Sequence, residues 1–413
     1  MTERVFITGL GVISSIGTGK EAFFASLEAG KSGITPVEAF DAARMGRKFG
    51  GEVKDFRAAD HLARHEVRTL GRCSQMALAA ARMAARDAGL GEGALAGPRV
   101  SVVMGTTMGD ADVLEVLDKA FITQGPEAIR PPAIPRYSAS LLPIHLARAF
   151  GAEGVTFTLP AACAAGNYSI GFAADLIRAG KADAVVAGAS ELLQQLQFAG
   201  FVKLQAMAPE RCQPFDKNRH GILLGEGAGV LVLESESRAK ARGARILAEV
   251  GAMGITCDGH HVTRPHPDAW GSVTAMRQAI DKSGITSADV DFVNAHGTGT
   301  KANDVAETKV MREVFGDRRV PISSMKSMLG HCMGAASALE AIGCVFTLER
   351  GVYPPTIGFE TPDPECDVEL VANVSRKGKA DIVLNNSLAF GGYNAVVCLA
   401  RPGVLPEPTG GEP

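Results

Sequence analysis

Near residue 160 the hydrophobic pattern changes from that of a strand to that of a helix. Residues 155–159 alternate between apolar and polar side chains, which is typical of a strand. Beyond this point the apolar residues recur at helical spacing, at Ile170, Ala173, Ala174 and Ile177. The sequence therefore predicts a strand-to-helix turn at residues 159–167, with Cys163 in the turn.

Residues 229–234 and 394–399 are two largely apolar runs, and each follows a glycine-rich loop. Short apolar runs bounded by turn residues are typical of strands that are buried on both faces. They indicate two similar halves with a boundary near residues 235–243. The length of 413 residues fits this interpretation, because single hydrophobic cores rarely grow that large.

Composition narrows the class of protein. The formal charge of −3 argues against general affinity for nucleic acid or membrane surfaces, and no apolar run is long enough to cross a bilayer as a helix. The eight cysteines include no CxxC pair, and no targeting segment is recognisable at the start. We therefore expect a reducing, cytoplasmic environment. The segment 403–413 is rich in Pro and Gly, which predicts a disordered tail.

Cys163 is the first candidate for chemistry. Unpaired N–H groups and partial positive charge at a helix N-terminus lower a cysteine pKa and favour the nucleophilic thiolate. Small neighbours on both sides of Cys163 would leave its sulfur approachable. The alternative is an ordinary buried cysteine that packs as a small hydrophobe.

Two histidine motifs favour the reactive interpretation. His296 leaves the strand-like residues 290–293 into a Gly/Thr loop, and His331 follows Gly330 just before a helix of small residues. Together with Cys163 they supply a nucleophile and two groups that can stabilise an oxyanion or move a proton.

Two other patterns predict no site. The glycines between Gly9 and Lys20 do not have the spacing of a phosphate-binding loop. His260, His261 and His266 have no cysteine or carboxylate at the usual zinc spacing, so we expect a solvated loop and no metal site.

Taken together, the motifs resemble those of the β-ketoacyl-acyl carrier protein synthases of the Cys-His-His class, along nearly the whole chain. The matching segments are the turn at Cys163 and residues 214–219, 225–229, 294–300, 326–331 and 390–392. The resemblance implies an α/β protein with the thiolase fold, five αβαβα layers built from two similar halves. It also implies a homodimer, or a heterodimer with a chain-length factor. Substrates would arrive on the phosphopantetheine of an acyl carrier protein, with no bound cofactor.

The resemblance assigns roles by position. It implies that Cys163 accepts the acyl group, that the N–H groups of Cys163 and Phe390 form an oxyanion hole, and that His296 and His331 assist malonyl decarboxylation. The other implied residues are the supporting pair Lys326 and Glu340, the substrate-binding Thr298, Thr300, Met108, Phe201 and Phe390, and the carrier-docking Arg64, Arg68 and Lys203.

Several positions depart from the family pattern. Leu388 and Ala389 stand where an aromatic residue and a flexible glycine are usual, and Tyr393 replaces a threonine. Met108 falls where the family limits the depth of the acyl pocket, and residues 192–203 are unusually polar, with Gln194, Gln195 and Gln197. These changes favour a specialised polyketide or polyene chain over general fatty-acid synthesis.

We therefore expect a ketosynthase half over 1–240 carrying the nucleophile, a second half over 241–402 carrying both histidines, and the tail. Two alternatives remain. A non-catalytic, chain-length-setting subunit would generally lack the nucleophile. A thiolase would carry a second reactive cysteine near the C-terminal loop, where this chain has Phe390 and, further on, Cys398.

Overall fold

A computed structural model describes residues 3–407 of the chain. The strands are β1 Val5–Ser14, β2 Gly17–Thr18, β3 Thr35–Pro36, β4 Phe49–Gly50, β5 Val100–Gly105, β6 Thr156–Leu159, β7 Ala184–Glu191, β8 Gly227–Ser235, β9 Ala248–Cys257, β10 Phe292–Asn294, β11 Pro321–Ser323, β12 Val352–Tyr353, β13 Glu369–Leu370, β14 Arg376–Lys377, β15 Ile382–Leu388 and β16 Tyr393–Ala400. The helices are α1 Lys20–Glu28, α2 Arg64–Thr69, α3 Arg72–Asp87, α4 Ala111–Gln124, α5 Leu141–Phe150, α6 Ala165–Arg178, α7 Gln195–Lys203, α8 Glu236–Ala241, α9 Trp270–Lys282, α10 Lys301–Phe315, α11 Lys326–Leu329 and α12 Ala336–Arg350. None of these helices is long and apolar enough to cross a membrane.

The main sheet contains the same five-stranded pattern twice. In the first half the order is β6-β5-β7-β8-β1, and in the second it is β11-β10-β15-β16-β9. Corresponding pairs also run in the same relative direction: β5 is parallel to β6 and β7, as β10 is to β11 and β15, and the remaining neighbours are antiparallel. A short antiparallel contact between β1 and β9 joins the halves. The internal duplication expected from the two apolar runs is confirmed.

Helices lie between and outside the two five-stranded sets. α6 and α12 contact each other and both sets of strands, and residues 336–348 of α12 are all buried. α3 and α5 cover the outer face of the first half, while α9, with α10 packed against it, covers the second. The result is the five-layered α/β arrangement, which buries both faces of every central strand.

This layering explains why the two apolar runs do not alternate. In β8, Val230 and Val232 face the outer core while Leu231 and Leu233 face the central one. β16 repeats the arrangement, with Val396 and Cys398 outward and Val397 and Leu399 inward. A strand covered on both faces needs apolar residues at every position.

The glycines of β1 serve helix packing. A Cβ atom on Gly11 would lie 1.8 Å from the carbonyl oxygen of Ala80 in α3. In the second half, a Cβ on Gly254 would lie 1.8 Å from that of Ala275 in α9. The close approach of helix and strand therefore accounts for the Gly9–Gly11 pattern without a nucleotide.

The division at residue 240 falls within α8, between the two sets of strands. Residues 403–407 do not fit the expected disorder: Leu405 is buried, and its carbonyl oxygen accepts a hydrogen bond from Arg4. The remainder of the predicted tail, 408–413, lies outside the described residues.

Candidate active site

Cys163 lies in a short 3-10 turn, Ala162–Ala164, between β6 and α6. The preceding Ala162 has a left-handed φ of 46°, which turns the chain sharply into the helix. The hydroxyls of Ser337 and Ser387 both donate to the carbonyl oxygen of Cys163, each at 3.2 Å. The turn is therefore held by α12 on one side and β15 on the other, both from the second half of the chain.

The second half makes the same turn before its own central helix. Met333, at the start of the 3-10 turn Met333–Ala335, also has a φ of 46°. His331 lies two residues before this turn and follows Gly330, whose φ is 75°. The two turns contact each other, and Nε2 of His331 lies 3.1 Å from Sγ of Cys163.

The two imidazoles lie at right angles to each other. The ring centroids of His296 and His331 are 5.6 Å apart with an interplanar angle of 84°. Within residues 3–407, the buried Nδ1 of His331 has no hydrogen-bond partner, so the tautomer of that ring depends on the contact of its Nε2 with Cys163.

Lys326 fixes the tautomer of the other ring. Its Nζ lies 3.4 Å from Nδ1 of His296 and donates to Oε1 of Glu340 at 2.6 Å. The Lys326 and Glu340 side chains are both 1 % exposed. Because an ammonium group can only donate, Nδ1 of His296 accepts, and its Nε2 carries the hydrogen.

Burial keeps the reactive groups neutral. It raises the pKa of the Cys163 thiol to about 12, against the opposing effects of Lys326 and of the backbone N–H groups of Phe390 and Cys163. Burial, with Lys326 second, holds the pKa of His296 and of His331 well below 6.5. The expected lowering of the cysteine pKa is therefore wrong, because desolvation of a thiolate in this site outweighs the helix terminus.

Two buried carboxylates hold the His296 loop from behind. Glu307 accepts hydrogen bonds from the backbone N–H of His296 at 2.7 Å and of Gly297 at 2.8 Å. Asp304 accepts from the N–H of Gly299 at 3.3 Å. Burial raises the pKa of Glu307 to about 7 and that of Asp304 to about 6. Neither carboxylate was predicted from the sequence. Their spacing of three residues, on the helix that directly follows the His296 motif, places them on one face of that helix and could have indicated their role.

The site opens into a cavity of about 410 Å³. Of the predicted residues, it is lined by Cys163, His296, His331, Thr298, Thr300, Phe201 and Phe390. The two threonine hydroxyls are 3.0 Å apart. The rings of Phe201 and Phe390 stack 5.6 Å apart at an angle of 15°. Exposed basic side chains that the sequence analysis missed, Arg264 and Lys301, also line it.

Met108 does not line this cavity. It is half-buried in a turn that Glu191 holds: Glu191 accepts from the N–H groups of Thr107, Met108 and Gly334. A role for Met108 in limiting the acyl chain therefore stays a prediction.

The backbone of the loop after Leu388 is compatible with the residues that differ from the family pattern. Ala389 has a φ of −124°, an extended conformation that any residue adopts. Gly391 and Gly392 supply the left-handed residues, with φ of 84° and 79°. Tyr393 packs edge-on to Tyr168, with ring centroids 6.3 Å apart.

The three predicted docking residues are exposed. Arg64 and Arg68 lie on α2 and Lys203 ends α7. None of them forms an ion pair within the part of the chain that the structure describes. In the same residues no group of three or more side chains is arranged to hold a metal ion, and the rings of His260 and His266 simply pack edge-on.

Comparisons with known proteins identify the family of this chain. Residues 2–239 match the family model for the β-ketoacyl synthase N-terminal domain, and residues 247–360 match the C-terminal one. The chain is 38 % identical over 408 residues to a 3-oxoacyl-[acyl-carrier-protein] synthase 2 of Synechocystis sp., covering 97 % of this chain and 98 % of the relative. It is 36 % identical over 404 residues to nodulation protein E of a Rhizobium species, covering 97 % and 100 %.

Solved structures give the same result. The ishigamide ketosynthase/chain length factor superimposes with a TM-score of 0.94 at 43 % identity, covering 98 % of this chain and 100 % of that one. A type II polyketide ketosynthase solved with its acyl carrier protein gives a TM-score of 0.90 at 30 % identity, covering 97 % and 100 %. With both family models matched and the paired imidazoles beside the turn cysteine, this chain belongs to the β-ketoacyl synthase family.

Proposed function

We propose that this chain condenses an acyl group held on Cys163 with a malonyl group delivered by an acyl carrier protein, releasing CO₂. The observation that carries the proposal is the contact between Cys163 Sγ and His331 Nε2 in a cavity that both residues line. The two-carbon-longer β-ketoacyl product leaves on the carrier.

The first half-reaction transfers the acyl group. As the Cys163 sulfur attacks the carrier thioester, its proton passes to Nε2 of His331, which is neutral and therefore able to accept it. The N–H groups of Cys163 and Phe390, which lower the pKa of the Cys163 thiol, stabilise the oxyanion. The carrier thiol leaves with the proton that His331 returns.

The second half-reaction uses the imidazoles as donors. When the malonyl carboxylate leaves as CO₂, negative charge develops on the thioester oxygen. The N–H at Nε2 of His296, fixed by Lys326, stabilises this enolate. His331 also donates to it, in the tautomer that carries hydrogen on Nε2, which becomes available once Cys163 is acylated and no longer holds a proton. The enolate carbon attacks the Cys163 thioester, so that a C–C bond forms and the C–S bond breaks. The released Cys163 thiolate takes up one proton from water, because the condensation consumes one proton overall.

The proposal includes two protein partners. The first is the acyl carrier protein, docked through Arg64, Arg68 and Lys203. The second is a dimer partner, either a second copy or a chain-length factor. In support, α4 exposes the apolar Leu114, Val116, Phe121 and Ile122, which is a large apolar area for a free surface.

We further propose a cytoplasmic enzyme with no bound cofactor that handles a specialised polyketide or polyene chain. The substitutions around Ala389 and the glutamines of α7 support that specialisation. The alternative of a general fatty-acid enzyme is supported by the names of curated relatives.

The test is intact mass spectrometry after incubation with a panel of acyl-carrier proteins. The wild type should gain the mass of one acyl group, and Cys163→Ala should gain none. Cys398→Ala is the matched control, since Cys398 is equally buried with a pKa also raised to about 12. Loss of acylation only in the Cys398 variant would favour a thiolase. No acylation of the wild type would favour the non-catalytic subunit.

A further inference from the structure

Two buried amides at the start of α7 have no role in the chemistry above. Gln194, at the N-cap, is 2 % exposed, and Gln197, one turn into the helix, is 6 % exposed. Gln195, between them, is exposed. Polar side chains are rarely buried this deeply without a full set of partners.

Hydrogen bonds fix the orientation of both amides. Nε2 of Gln194 donates to the carbonyl oxygen of Gly109 at 2.9 Å, and a carbonyl oxygen can only accept. Nε2 of Gln197 donates to Oγ1 of Thr107 at 3.3 Å. The Thr107 hydroxyl donates its single hydrogen to Glu191 at 2.6 Å, so toward Gln197 it can only accept.

In both side chains the amide nitrogen is therefore the hydrogen-bonded atom, and the amide oxygen is the atom left over. Oε1 of Gln194 and Oε1 of Gln197 are both buried and have no hydrogen-bond partner among residues 3–407. A buried acceptor without a donor costs free energy. A hydroxyl or N–H group placed beside either oxygen would supply the missing hydrogen bond and remove that cost.

Their position connects them to the nucleophile. Cys163 belongs to one apolar cluster with Leu193, Phe198, Phe201 and, at its margin, Phe390. Leu193 and Phe198 are the chain neighbours of Gln194 and Gln197. Phe201, which lines the cavity, is one helical turn from Gln197 on the same face of α7. The amides therefore lie beside the cluster that contains Cys163, and neither of them lines the cavity described above.

We propose that the acyl chain on Cys163 extends past the Phe201–Phe390 pair and that the two glutamine oxygens select chains carrying a hydroxyl group in their distal part. This inference rests on the proposed ketosynthase function. A hydrocarbon chain offers no donor and would leave both acceptors unpaired, whereas a hydroxyl supplies a donor at little cost in volume. Sites that hydrogen-bond a substrate hydroxyl discriminate strongly against the analogue that lacks it.

The experiment compares acylation rates of Cys163 by intact mass spectrometry, using carrier-bound saturated chains and distal-hydroxy chains of matched lengths. The wild type should load the hydroxylated chain of the best length roughly tenfold faster than its alkyl counterpart. Gln197→Leu should remove that preference by accelerating alkyl loading. Gln195→Leu, the same change on the exposed side of the helix, should leave it intact.

The outcomes are separable. If the wild type shows equal rates at every length, the inference is wrong, whatever the variants do. The inference is also wrong if the preference for hydroxylated chains survives in both Gln197→Leu and Gln194→Met. If Gln197→Leu fails to fold, Gln194→Met alone decides. If no carrier-bound chain acylates Cys163, the proposed function itself fails.

Discussion

Nε2 of His331 lies 3.1 Å from Sγ of Cys163, and burial keeps both groups uncharged. A thiol beside a neutral imidazole reacts by passing its proton to the ring as the sulfur attacks. In the proposed mechanism, His331 therefore acts in acyl transfer as well as in decarboxylation. His296, whose ring nitrogen contacts Lys326, acts in decarboxylation alone.

This difference predicts a split between the two histidine variants. His331→Ala should slow acylation of Cys163 and decarboxylation of malonyl-carrier protein by roughly 10²-fold each, whereas His296→Ala should slow only decarboxylation. Acylation is followed by intact mass and decarboxylation by release of CO₂. Wild-type acylation by the His331 variant would remove it from the first half-reaction.

Lys326→Met should raise the pKa of both histidines, because its charge is a cause of their low values. The acidic limb of the condensation pH profile should then move to higher pH. The maximal rate should fall too, since His296 loses the contact that fixes its tautomer. A pH profile that keeps its acidic limb in place would contradict this.

The same variant leaves Glu340 buried and unpaired, which costs about 3–5 kcal/mol of stability. The double variant Lys326→Met with Glu340→Leu removes the stranded charge and separates the two effects. It should regain stability in denaturant unfolding without regaining the condensation rate. If stability and condensation rate both recovered, the ion pair would have only a structural role.

Glu307 predicts a pH dependence of stability. Its native pKa of about 7 lies above the ordinary 4.5, through burial and the nearby Asp304 charge. Between these values the native protein binds a proton that the unfolded chain does not, so this group makes stability fall as pH rises from 4.5 through 7. The contribution is on the order of 3 kcal/mol. The neighbouring His296 has the opposite effect, because burial and Lys326 hold its native pKa well below 6.5.

Glu307→Gln should therefore flatten the fall in unfolding free energy between pH 5 and 8. Part of the decrease in unfolding free energy with pH should remain in this variant, because the pKa of Asp304 is also raised. Glu313→Gln, an exposed change on the same helix, should retain the full slope. An unchanged slope in the Glu307 variant would show that its carboxyl is ionised throughout.

The sequence predicted what depends on local pattern. The turn at Cys163 and the doubly buried strands β8 and β16 follow from spacing that short segments carry by themselves. The sequence failed to predict properties that depend on contacts with the second half of the chain, such as the raised pKa of Cys163. Desolvation of Cys163 depends on the packing of α12 and β15 against its turn, and no segment near residue 163 contains that information.

Two carboxylates were overlooked for a related reason. Asp304 and Glu307 look like the polar positions of a surface helix. Only the tertiary structure shows that they accept the backbone N–H groups of the His296 loop. The resemblance supplied the partnership of Lys326 with Glu340, which spacing alone did not.

The last prediction concerns carrier docking. Arg64 and Arg68 are exposed on one side of α2 and have no acidic partner within residues 3–407, so their charge is available to an acidic carrier surface. Arg68→Glu should weaken the use of carrier-bound acyl groups and leave loading from small thioester analogues unchanged, with the wild-type advantage shrinking at high salt. Arg86→Glu is the matched control, since Arg86 is also an exposed arginine in the last turn of its helix. Equal losses with both substrate types in the Arg68 variant would indicate a folding defect, and equal losses in the two variants would indicate a general effect of net charge.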